Sequence, residues 1–379
     1  MNILYLINHA GSGGSEKYIH MMAERFAKKQ SDKLHFIYNE DGPLREKMAA
    51  LGASCKQVVM RRPWDFRAAR AIAAYCSEQG IDIIHAQFPR ENFIAILSKN
   101  FYPKPRAVYT SHLLIKNTAV WKLANSLMCP RNSAIIALCE TARAALLRNK
   151  MPADKIRVIP NGVNIPSVPN ESELARDKAA LRAELGLSPE ECALVSVMRF
   201  SEEKGPIFLL ESVRVLRSMT PRPFKLIVVG DGEMFDELKK YSTDHNMTSY
   251  VIFTGYREDV GRILQISKIF INSSKTEVQS FAILEAMSYG LAIAATRCEG
   301  NKDLVNRANC GKLAEYGDTF AMASIIYRMM SDPQYLSKLA KNALDAAKKF
   351  YNIEITAKET YELYRSLLSS KEGKAGNAH

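Results

Sequence analysis

The amino-acid sequence predicts an α/β protein in which two doubly wound domains each carry a parallel sheet. Short β-branched runs alternate with segments of helical period along the 379 residues, a pattern typical of parallel sheets. The length suggests two domains, at roughly 150 residues per domain. Three prolines at positions 160, 166 and 169 mark a connector between them. Ligands of such sheets bind at the carboxyl ends of the strands, so we expect the site in a cleft between the domains.

The elements of the first half follow one another closely. Strands are predicted at 2–7, 34–38, 54–59, 81–86, 107–111, 134–139 and 157–160, and helices at 15–29, 44–51, 65–79, 92–99 and 141–149. The alternation restarts after the connector, with helices between strands at 192–198, 225–229, 250–253, 268–272 and 291–295. A helical stretch at about 336–368 closes the pattern.

These elements group into two expected Rossmann-like domains, at 1–165 and 166–345. A C-terminal helix at 346–368 is expected to pack back on the first domain. The polar residues 369–379 are expected to form a disordered tail.

The composition excludes several protein classes. With 47% apolar and 24% charged residues, it is typical of a soluble globular protein. The longest apolar runs, such as 226–229 and 291–295, are far shorter than the ~20 residues of a membrane-spanning helix. The N-terminus lacks a basic stretch, so we expect a strand there and no signal peptide. The seven cysteines are odd in number and form no CxxC pair, which argues against disulfides and zinc and favours a reducing cytoplasm.

The net charge of +12 is confined to the first half of the chain. Residues 1–165 hold 24 Lys and Arg against 12 Asp and Glu, whereas the remainder holds 28 of each. Such a charge asymmetry gives information about binding partners and not about the fold. Residues 61–70, with Trp64 and Phe66, and residues 116–131, with Trp121, mix cations with aromatic side chains. They form either a solvated face or a surface for an anionic partner, and no nucleic-acid motif accompanies them.

The loop GSGGSE at residues 11–16 lies directly between the first strand and the first helix. It can cradle a phosphate or a sugar with backbone N–H groups, or it can be a tight turn whose Gly, Ser and Glu act as caps. A nicotinamide-type fingerprint needs a third Gly where Glu16 stands, which disfavours a dehydrogenase.

The second half carries two cations and two carboxylates near strand ends. Arg199 and Lys204 precede a helix, where they can hold phosphate oxygens or be solvated. Glu277 and Glu285 are separated by seven residues, and Glu285 lies near a helix start. There it can accept hydrogen bonds from a ribose diol, or it can only serve the helix dipole.

Two histidines, His85 and His112, end predicted strands of the first half at the edge where sites of α/β sheets lie. A single histidine at such a position is more often structural than catalytic. Neither has an HExxH or Cys/His neighbour, and the sequence contains no D-x-D spacing, so no metal site is expected.

In this order and spacing, the motifs resemble the family-four glycosyltransferases, retaining enzymes with the GT-B fold, over about residues 2–365. The matching motifs are Gly13-Gly14-Ser-Glu16, His112, VIPNGV at 158–163, Arg199 to Gly205, GDG at 230–232, Gly255 and the Glu277–Glu285 signature. Three positions depart from the family pattern. Val278-Gln279-Ser280 replaces Gly-Phe-Gly, Glu299-Gly300-Asn-Lys-Asp303 replaces Gly-Gly-x-x-Glu, and Asn164 replaces Asp.

The resemblance implies roles for the matching residues. Arg199 and Lys204 would hold the donor diphosphate, Glu285 the ribose and Glu277 the sugar hydroxyls. His112 would contact the sugar near its reacting face, the Gly14 backbone would approach the phosphates, and Tyr256 and Arg257 would flank the base. The implied catalytic residues are His112, Glu277, Arg199 and Lys204. The implied donor-binding residues are Gly13, Gly14, Arg199, Lys204, Tyr256, Arg257, Glu277, Ser280, Phe281 and Glu285.

The implied reaction transfers a hexosyl or N-acetylhexosaminyl group, with retention and without a metal or cofactor, from a nucleoside diphosphate sugar. The first domain would bind a glycan or lipid-linked acceptor, and its basic clusters would meet an anionic surface at the inner face of the cytoplasmic membrane. This places the chain in cell-envelope polysaccharide biosynthesis. Two alternatives stay open: a nucleotide-sugar epimerase of the same fold, and a catalytically inert glycan- or nucleotide-binding subunit.

Overall fold

The computed structural model describes residues 1–29, 31–112, 118–167 and 170–369. They form two units: Met1–Gly162 together with the segment from Ile353 onward, and Val163–Asn352. Residues 346–352, which were expected to return to the first domain, belong to the second unit because Ala346 and Tyr351 are buried in its core. The expected tail lies outside the described residues, except for Ser369, which ends the last helix.

The first unit is built on a seven-stranded parallel sheet. Its strands are β1 (Asn2–His9), β2 (Lys33–Glu40), β3 (Ser54–Gln57), β4 (Ile83–Ala86), β5 (Arg106–Ser111), β6 (Ala134–Ala137) and β7 (Ile156–Val158). Its connecting helices are α1 (Gly14–Ala27), α2 (Pro43–Ala50), α3 (Phe66–Glu78), α4 (Pro89–Ser98), α5 (Ala119–Met128) and α6 (Glu140–Arg148). The strand order is β3-β2-β1-β4-β5-β6-β7, so the winding reverses between β1 and β4. Helix α5 has no counterpart among the predicted elements.

The second unit is built on a six-stranded parallel sheet. Its strands are β8 (Cys192–Val197), β9 (Phe224–Val229), β10 (Val251–Gly255), β11 (Ile269–Asn272), β12 (Ala292–Thr296) and β13 (Gly311–Ala314). Its helices are α7 (Glu171–Glu184), α8 (Pro206–Met219), α9 (Phe235–Asp244), α10 (Val260–Ile266), α11 (Phe281–Ser288), α12 (Glu299–Ala308), α13 (Thr319–Ser331) and α14 (Pro333–Phe350). The order β10-β9-β8-β11-β12-β13 again reverses beside the unit's first strand, and the prediction of two Rossmann-like domains is confirmed.

Each sheet buries side chains on both faces. In the second unit, Leu194 and Leu226 lie in one hydrophobic cluster, and Val195 and Ile227 lie in another. Successive residues of a strand point to opposite faces, so these near-continuous apolar runs fill both layers of a covered parallel sheet. The polar side chains considered for function therefore follow the strands instead of interrupting them.

A last helix, α15 (Ile353–Ser369), returns the chain to the first unit. The continuous helix predicted over 336–368 is instead two helices, interrupted where the Val163 N–H donates to the Tyr351 carbonyl at 2.8 Å. Helix α15 then packs on α1, with the Phe26 and Tyr361 rings 5.5 Å apart.

Candidate active site

The turn after β8 presents two cations. Arg199 follows the strand, and Lys204 ends a short 3₁₀ turn before α8. Gly205 comes next with a φ of 62°, and a Cβ at this position would clash with the carbonyl oxygen of Ser273. Glycine is therefore needed for this turn to pack on the loop after β11. The Arg199 side chain is exposed and has no hydrogen-bond or ion-pair partner within the described ranges.

Lys204 and Glu277 form an ion pair between the turn and that loop. Lys204 Nζ donates to Glu277 Oε1 at 2.8 Å, and Ser274 Oγ donates to the same oxygen at 2.8 Å. The Lys204 and Glu277 side chains are 27% and 13% exposed, so a ligand can reach both. Oε2 of Glu277 receives no hydrogen bond from the part of the chain that the structure describes. The pair can thus accept a hydroxyl on Oε2 while the ammonium donates to a phosphate oxygen.

Additional hydrogen bonds join the turn to the loop. Ser273 Oγ donates to the Lys204 carbonyl at 2.8 Å, and the Lys275 N–H donates to the Glu203 carbonyl at 2.8 Å. At the solvent-exposed rim, Thr276 Oγ1 donates to Glu203 Oε1 at 3.0 Å. Because a backbone carbonyl accepts the hydrogen bond in each of the first two contacts, the separation of Lys204 from Glu277 is set by the chain and not by the ion pair alone.

Helix α11 begins at Phe281, one residue after its cap. Ser280 Oγ accepts a hydrogen bond from the Ile283 N–H at 3.4 Å, so this hydroxyl serves the helix. Phe281 and Glu285 are half-buried on the first two turns. Burial, with the Glu285 carboxylate nearby, raises the pKa of Tyr289. The N-terminus of α11 favours an anion, and Glu285 lies one turn further along.

Two of the residues that depart from the family pattern, Val278 and Gln279, are buried in the loop between β11 and α11. Val278 is 8% exposed and Gln279 is 7% exposed. The Gly300 N–H donates to the Glu277 carbonyl at 3.0 Å, and a Cβ on Gly300 would clash with the Val278 carbonyl. The start of α12 therefore packs directly on the backbone of the loop and fixes its path.

The segment after β10 was expected to flank the base of the donor. Tyr256 is 61% exposed, as a stacking platform requires. Arg257 donates to Asp259 at 2.7 Å and to Glu184 at 2.7 Å. These carboxylates raise the pKa of Arg257, and the guanidinium lowers the pKa of Asp259 to about 2. Two ion pairs therefore already orient Arg257, whereas the Tyr256 ring is exposed to solvent.

In the first unit, the glycine-rich loop leads into α1 without a side-chain cap. Gly13 occupies the N-cap position, and none of the described side chains accepts a hydrogen bond there. Ser15 Oγ donates to Glu16 Oε2 at 2.8 Å, and a Cβ on Gly13 would lie 2.8 Å from that oxygen. Glu16 thus packs over Gly13, and the first N–H groups of α1 are left to water or to an anion.

His112 follows β5 and is held in one tautomer. Gln87 Nε2 donates to the His85 carbonyl at 3.2 Å, which turns Gln87 Oε1 toward His112 Nε2 at 2.9 Å. An amide oxygen only accepts, so His112 Nε2 carries the proton and Nδ1 keeps its lone pair. Burial lowers the pKa of His112 to about 3, so the ring is neutral near pH 7.

His85 has a different environment. It is completely buried, with Nε2 at 2.6 Å from Thr110 Oγ1 and Nδ1 at 2.6 Å from the Tyr364 hydroxyl on α15. Burial, and to a lesser degree His112, lowers the pKa of His85 to about 3. Both ring nitrogens are occupied, so the environment of His85 is that of a structural histidine.

Sequence reasoning named Ser274 only as the first residue of the signature that contains Glu277 and Glu285, without a role, and it did not find Gln87. Ser274 lies two residues after β11, and Gln87 lies one residue after β4. The position of Gln87 at a carboxyl strand edge was its only signal, because this residue belongs to no recognisable motif. Across the described ranges, no three His, Cys, Asp or Glu side chains gather as a metal-binding group. A helix long and apolar enough to cross a membrane is likewise missing from the residues described.

Two family models match the chain. The model described as Glycosyltransferase Family 4 matches residues 12–166, and the model described as Glycosyl transferases group 1 matches residues 177–346. The first match lies on the first unit without its strand β1 and its helix α15, and the second match covers the whole sheet of the second unit.

Individual glycosyltransferases are also similar to this chain. The UDP-Gal:alpha-D-GlcNAc-diphosphoundecaprenol alpha-1,3-galactosyltransferase of Escherichia coli is 24% identical over 355 residues, which cover 89% of this chain and 90% of that protein. The alpha-monoglucosyldiacylglycerol synthase of Acholeplasma laidlawii is 26% identical over 219 residues, or 57% of this chain and 54% of that protein. The structure of Anabaena Alr3699/HepE in complex with UDP-glucose aligns with a TM-score of 0.82 at 21% identity, over 98% of this chain and 100% of that one. At this identity the structural likeness establishes the fold.

Proposed function

Because the chain belongs to the group 1 glycosyltransferases of family 4, which use nucleotide sugars, we propose a retaining, metal-independent transfer of a hexosyl or N-acetylhexosaminyl group. The donor in this proposal is a UDP-sugar and the acceptor is a hydroxyl of a glycan or a lipid-linked glycan. Support for UDP comes from the names of the E. coli relative and the Anabaena complex.

One observation carries the proposal: the Lys204–Glu277 pair leaves Oε2 of Glu277 and further ammonium protons for a ligand. A nucleoside diphosphate sugar offers the matching groups in sequence, with hydroxyls on the sugar and anionic oxygens on the diphosphate. Arg199 supplies a second cation, and Glu285 a carboxylate for the ribose diol. His112 offers a neutral acceptor at Nδ1 for a sugar hydroxyl.

Charge develops on the diphosphate as the bond to the anomeric carbon breaks. Arg199 and Lys204 stabilise that charge, and side chains held in place cost little reorganisation during the reaction. These two cations take the part that a divalent metal could otherwise play. We propose that the acceptor oxygen attacks on the face that the diphosphate leaves, and that a departing phosphate oxygen takes the acceptor proton. Retention then follows without a protein nucleophile.

The first unit carries the surface proposed for the acceptor and for lipid. Three apolar residues of α5 are strongly exposed: Val120 at 75%, Leu123 at 62% and Leu127 at 67%. The Phe93 ring contacts both Trp64, at 5.1 Å, and Trp121, at 5.8 Å, so the two cation–aromatic clusters meet there.

We propose that this surface rests on an anionic leaflet at the cytoplasmic face of the membrane, in cell-envelope polysaccharide biosynthesis. Each Lys or Arg near such a surface contributes about 1 kcal/mol, and exposed apolar side chains of an amphipathic helix add to this. The diphosphoundecaprenol acceptor in the name of the E. coli relative supports a lipid-linked acceptor.

A donor screen tests the activity. Thermal shift against UDP-, GDP- and ADP-sugars identifies the ligand, because a ligand that binds only the folded protein raises its Tm. NMR of the product with a lipid-linked glycan acceptor should show the anomeric configuration of the donor, and EDTA should not change the rate. An inverted product or a loss of rate with EDTA would correct the mechanism. A sugar isomerised without acceptor would instead identify an epimerase, and donor binding without turnover an inert subunit.

Flotation with liposomes tests the lipid surface. Binding should require phosphatidylglycerol and fade with salt, and Leu123→Glu should abolish it. Phe320→Glu is the matched control, because Phe320 is 65% exposed but lies in the second unit. If the wild-type protein stays in the soluble fraction under every condition, the proposed lipid surface is wrong and a soluble acceptor becomes the alternative.

A further inference from the structure

The amide of Asn301 is the centre of a buried hydrogen-bond network in the second unit. Asn301 lies in the first turn of α12 and has no exposed surface. Its Nδ2 donates to Asn272 Oδ1 at 2.8 Å and to the Thr296 carbonyl at 3.2 Å, with Thr296 Oγ1 at 3.3 Å. Asn272 ends β11 and Thr296 ends β12. One amide therefore joins the carboxyl ends of two neighbouring strands to the start of a helix.

Both partners of Asn301 also hold the backbone of Ser274. The Ser274 N–H donates to Asn272 Oδ1 at 3.3 Å, and Thr296 Oγ1 donates to the Ser274 carbonyl at 2.6 Å. Ser274 is thus held on both sides of its Cα by residues that Asn301 connects. Its hydroxyl, in turn, donates to Glu277 Oε1 at 2.8 Å. The next residue back along α12, Gly300, holds the Glu277 carbonyl at 3.0 Å.

The partners fix the orientation of the Asn301 amide. Asn272 Oδ1 already accepts from a backbone N–H, and the Thr296 carbonyl can only accept. The side of Asn301 that faces them must therefore carry the NH₂ group. A flipped amide would bring three oxygens together in a buried site, where unpaired acceptors are costly.

We propose that Asn301 is a positioning residue that sets the Glu277 carboxylate for the donor sugar, acting through Asn272, Thr296 and Ser274. The inference rests on the proposed function, because it takes Glu277 as the contact to the sugar. It adds that selectivity for the sugar-bearing donor over the bare nucleotide depends on an amide that is completely buried. Arg199, Lys204 and Glu285 are the groups proposed for the nucleotide, so binding of UDP alone should not depend on Asn301.

The test compares Asn301→Leu with Asn306→Ala. Leucine keeps the volume at position 301 but removes the donor, and Asn306 is an exposed residue of the same helix. With UDP-glucose as the probe donor, Asn301→Leu should lower kcat/KM by about 10- to 100-fold, as small misplacements of a contact group do. Its affinity for UDP should stay within about twofold of the wild type, and Asn306→Ala should match the wild type in both measurements.

A second pair of variants covers a failure of Asn301→Leu to fold. Thr296→Val should reproduce the selective loss, and Thr296→Ser, which keeps the hydroxyl, should restore most of the activity. A double-mutant cycle then locates the effect, because a residue that acts through Glu277 should add little once Glu277→Gln is present. Equal losses of UDP and UDP-glucose binding, or full additivity with Glu277→Gln, would overturn the positioning role. If the wild type itself neither binds nor turns over any nucleotide sugar, the proposed function fails instead.

Discussion

The candidate site residues of the two units differ in charge. In the second unit, Lys204 and Glu277 are charged, partly exposed and joined at 2.8 Å. In the first unit, His112 is an uncharged ring whose pKa burial lowers to about 3, and its partner is the amide of Gln87. One site presents fixed charges to a ligand, and the other presents a single directed lone pair.

This difference indicates a division of labour. Fixed cations stabilise charge that develops on a leaving group, and their effect should be large because the transition state carries that charge. A neutral hydrogen-bond acceptor such as Nδ1 of His112 can distinguish one sugar hydroxyl from another. Because the ring carries no positive charge, it does not repel the positive charge that develops at the anomeric carbon. We therefore expect the residues of the second unit to have the larger effect on the reaction rate. The residues of the first unit should determine how the rate and the stability depend on pH.

Removing a cation from the second unit should have the largest effect. We expect Arg199→Ala and Lys204→Ala each to lower kcat by roughly 10²–10³-fold, the loss typical of one charge-stabilising donor, with the fold preserved by circular dichroism. Lys240→Ala is the control, since Lys240 is exposed and forms an i,i+4 ion pair with Asp244. Turnover near the wild-type value in both site variants would remove the diphosphate assignment.

The two glutamates of the second unit should separate nucleotide from sugar recognition. Glu285→Gln should weaken binding of UDP and of UDP-sugar alike by roughly 1.5–3 kcal/mol, because a charge-assisted hydrogen bond to the ribose is lost. Glu277→Gln should spare UDP and weaken only the sugar-bearing donor. Isothermal calorimetry on both ligands checks the pattern, and the reverse ordering would exchange the two roles.

Part of this contrast is visible in the sequence. Arg199, Lys204, Glu277 and Glu285 follow apolar strand runs in a recognisable spacing, so the charged half could be predicted. The partner that gives His85 a structural environment could not be predicted, because Tyr364, which occupies its Nδ1, lies 279 residues away on the returning helix α15. The same applies to Asn301, whose partners Asn272 and Thr296 end two separate strands. Helix α5 is missing from the predicted elements although Val120, Leu123 and Leu127 have the i, i+3, i+7 spacing of an amphipathic helix, and the sequence does not reveal that this face stays exposed instead of entering the core.

The stability of the two units should also respond differently to acid. The pKa values of His85 and His112 fall from 6.5 to about 3, so the unfolded chain binds protons first. Each histidine then stabilises the first unit fully above about pH 6.5, and this contribution falls by about 1.4 kcal/mol per pH unit toward pH 3. Glu91 has the opposite sign, because burial raises its pKa to about 7. In the second unit, Asp259 loses its contribution only below its ordinary value of 3.8, as the pH falls through about 2.

Urea unfolding between pH 6.5 and 4.5 measures this difference. The chain has two tryptophans, Trp64 and Trp121, and both lie in the first unit, so their fluorescence follows that unit alone. His112→Gln should remove about 1.4 kcal/mol per pH unit of the acid sensitivity, while Glu91 contributes equally to both proteins and cancels. Identical slopes for the wild type and the variant would show that His112 is not neutral and buried in solution.

The smallest effect should come from placing a charged partner beside His112, so that the first unit, like the second, contains an ion pair. Gln87→Glu replaces the amide beside His112 with a carboxylate, which favours the protonated ring and raises the pKa of His112 toward its ordinary range. The wild-type rate should show no inflection from His112 between pH 5.5 and 8, because its pKa is about 3. The variant should gain an inflection within that range and lose only a few-fold of its rate at pH 8, where the ring is again neutral. Gln87→Met serves as the control, since it removes the amide without adding charge and should leave the profile flat. A flat profile in Gln87→Glu as well would mean that the neutrality of His112 does not depend on its partner, and that burial alone separates the two sites.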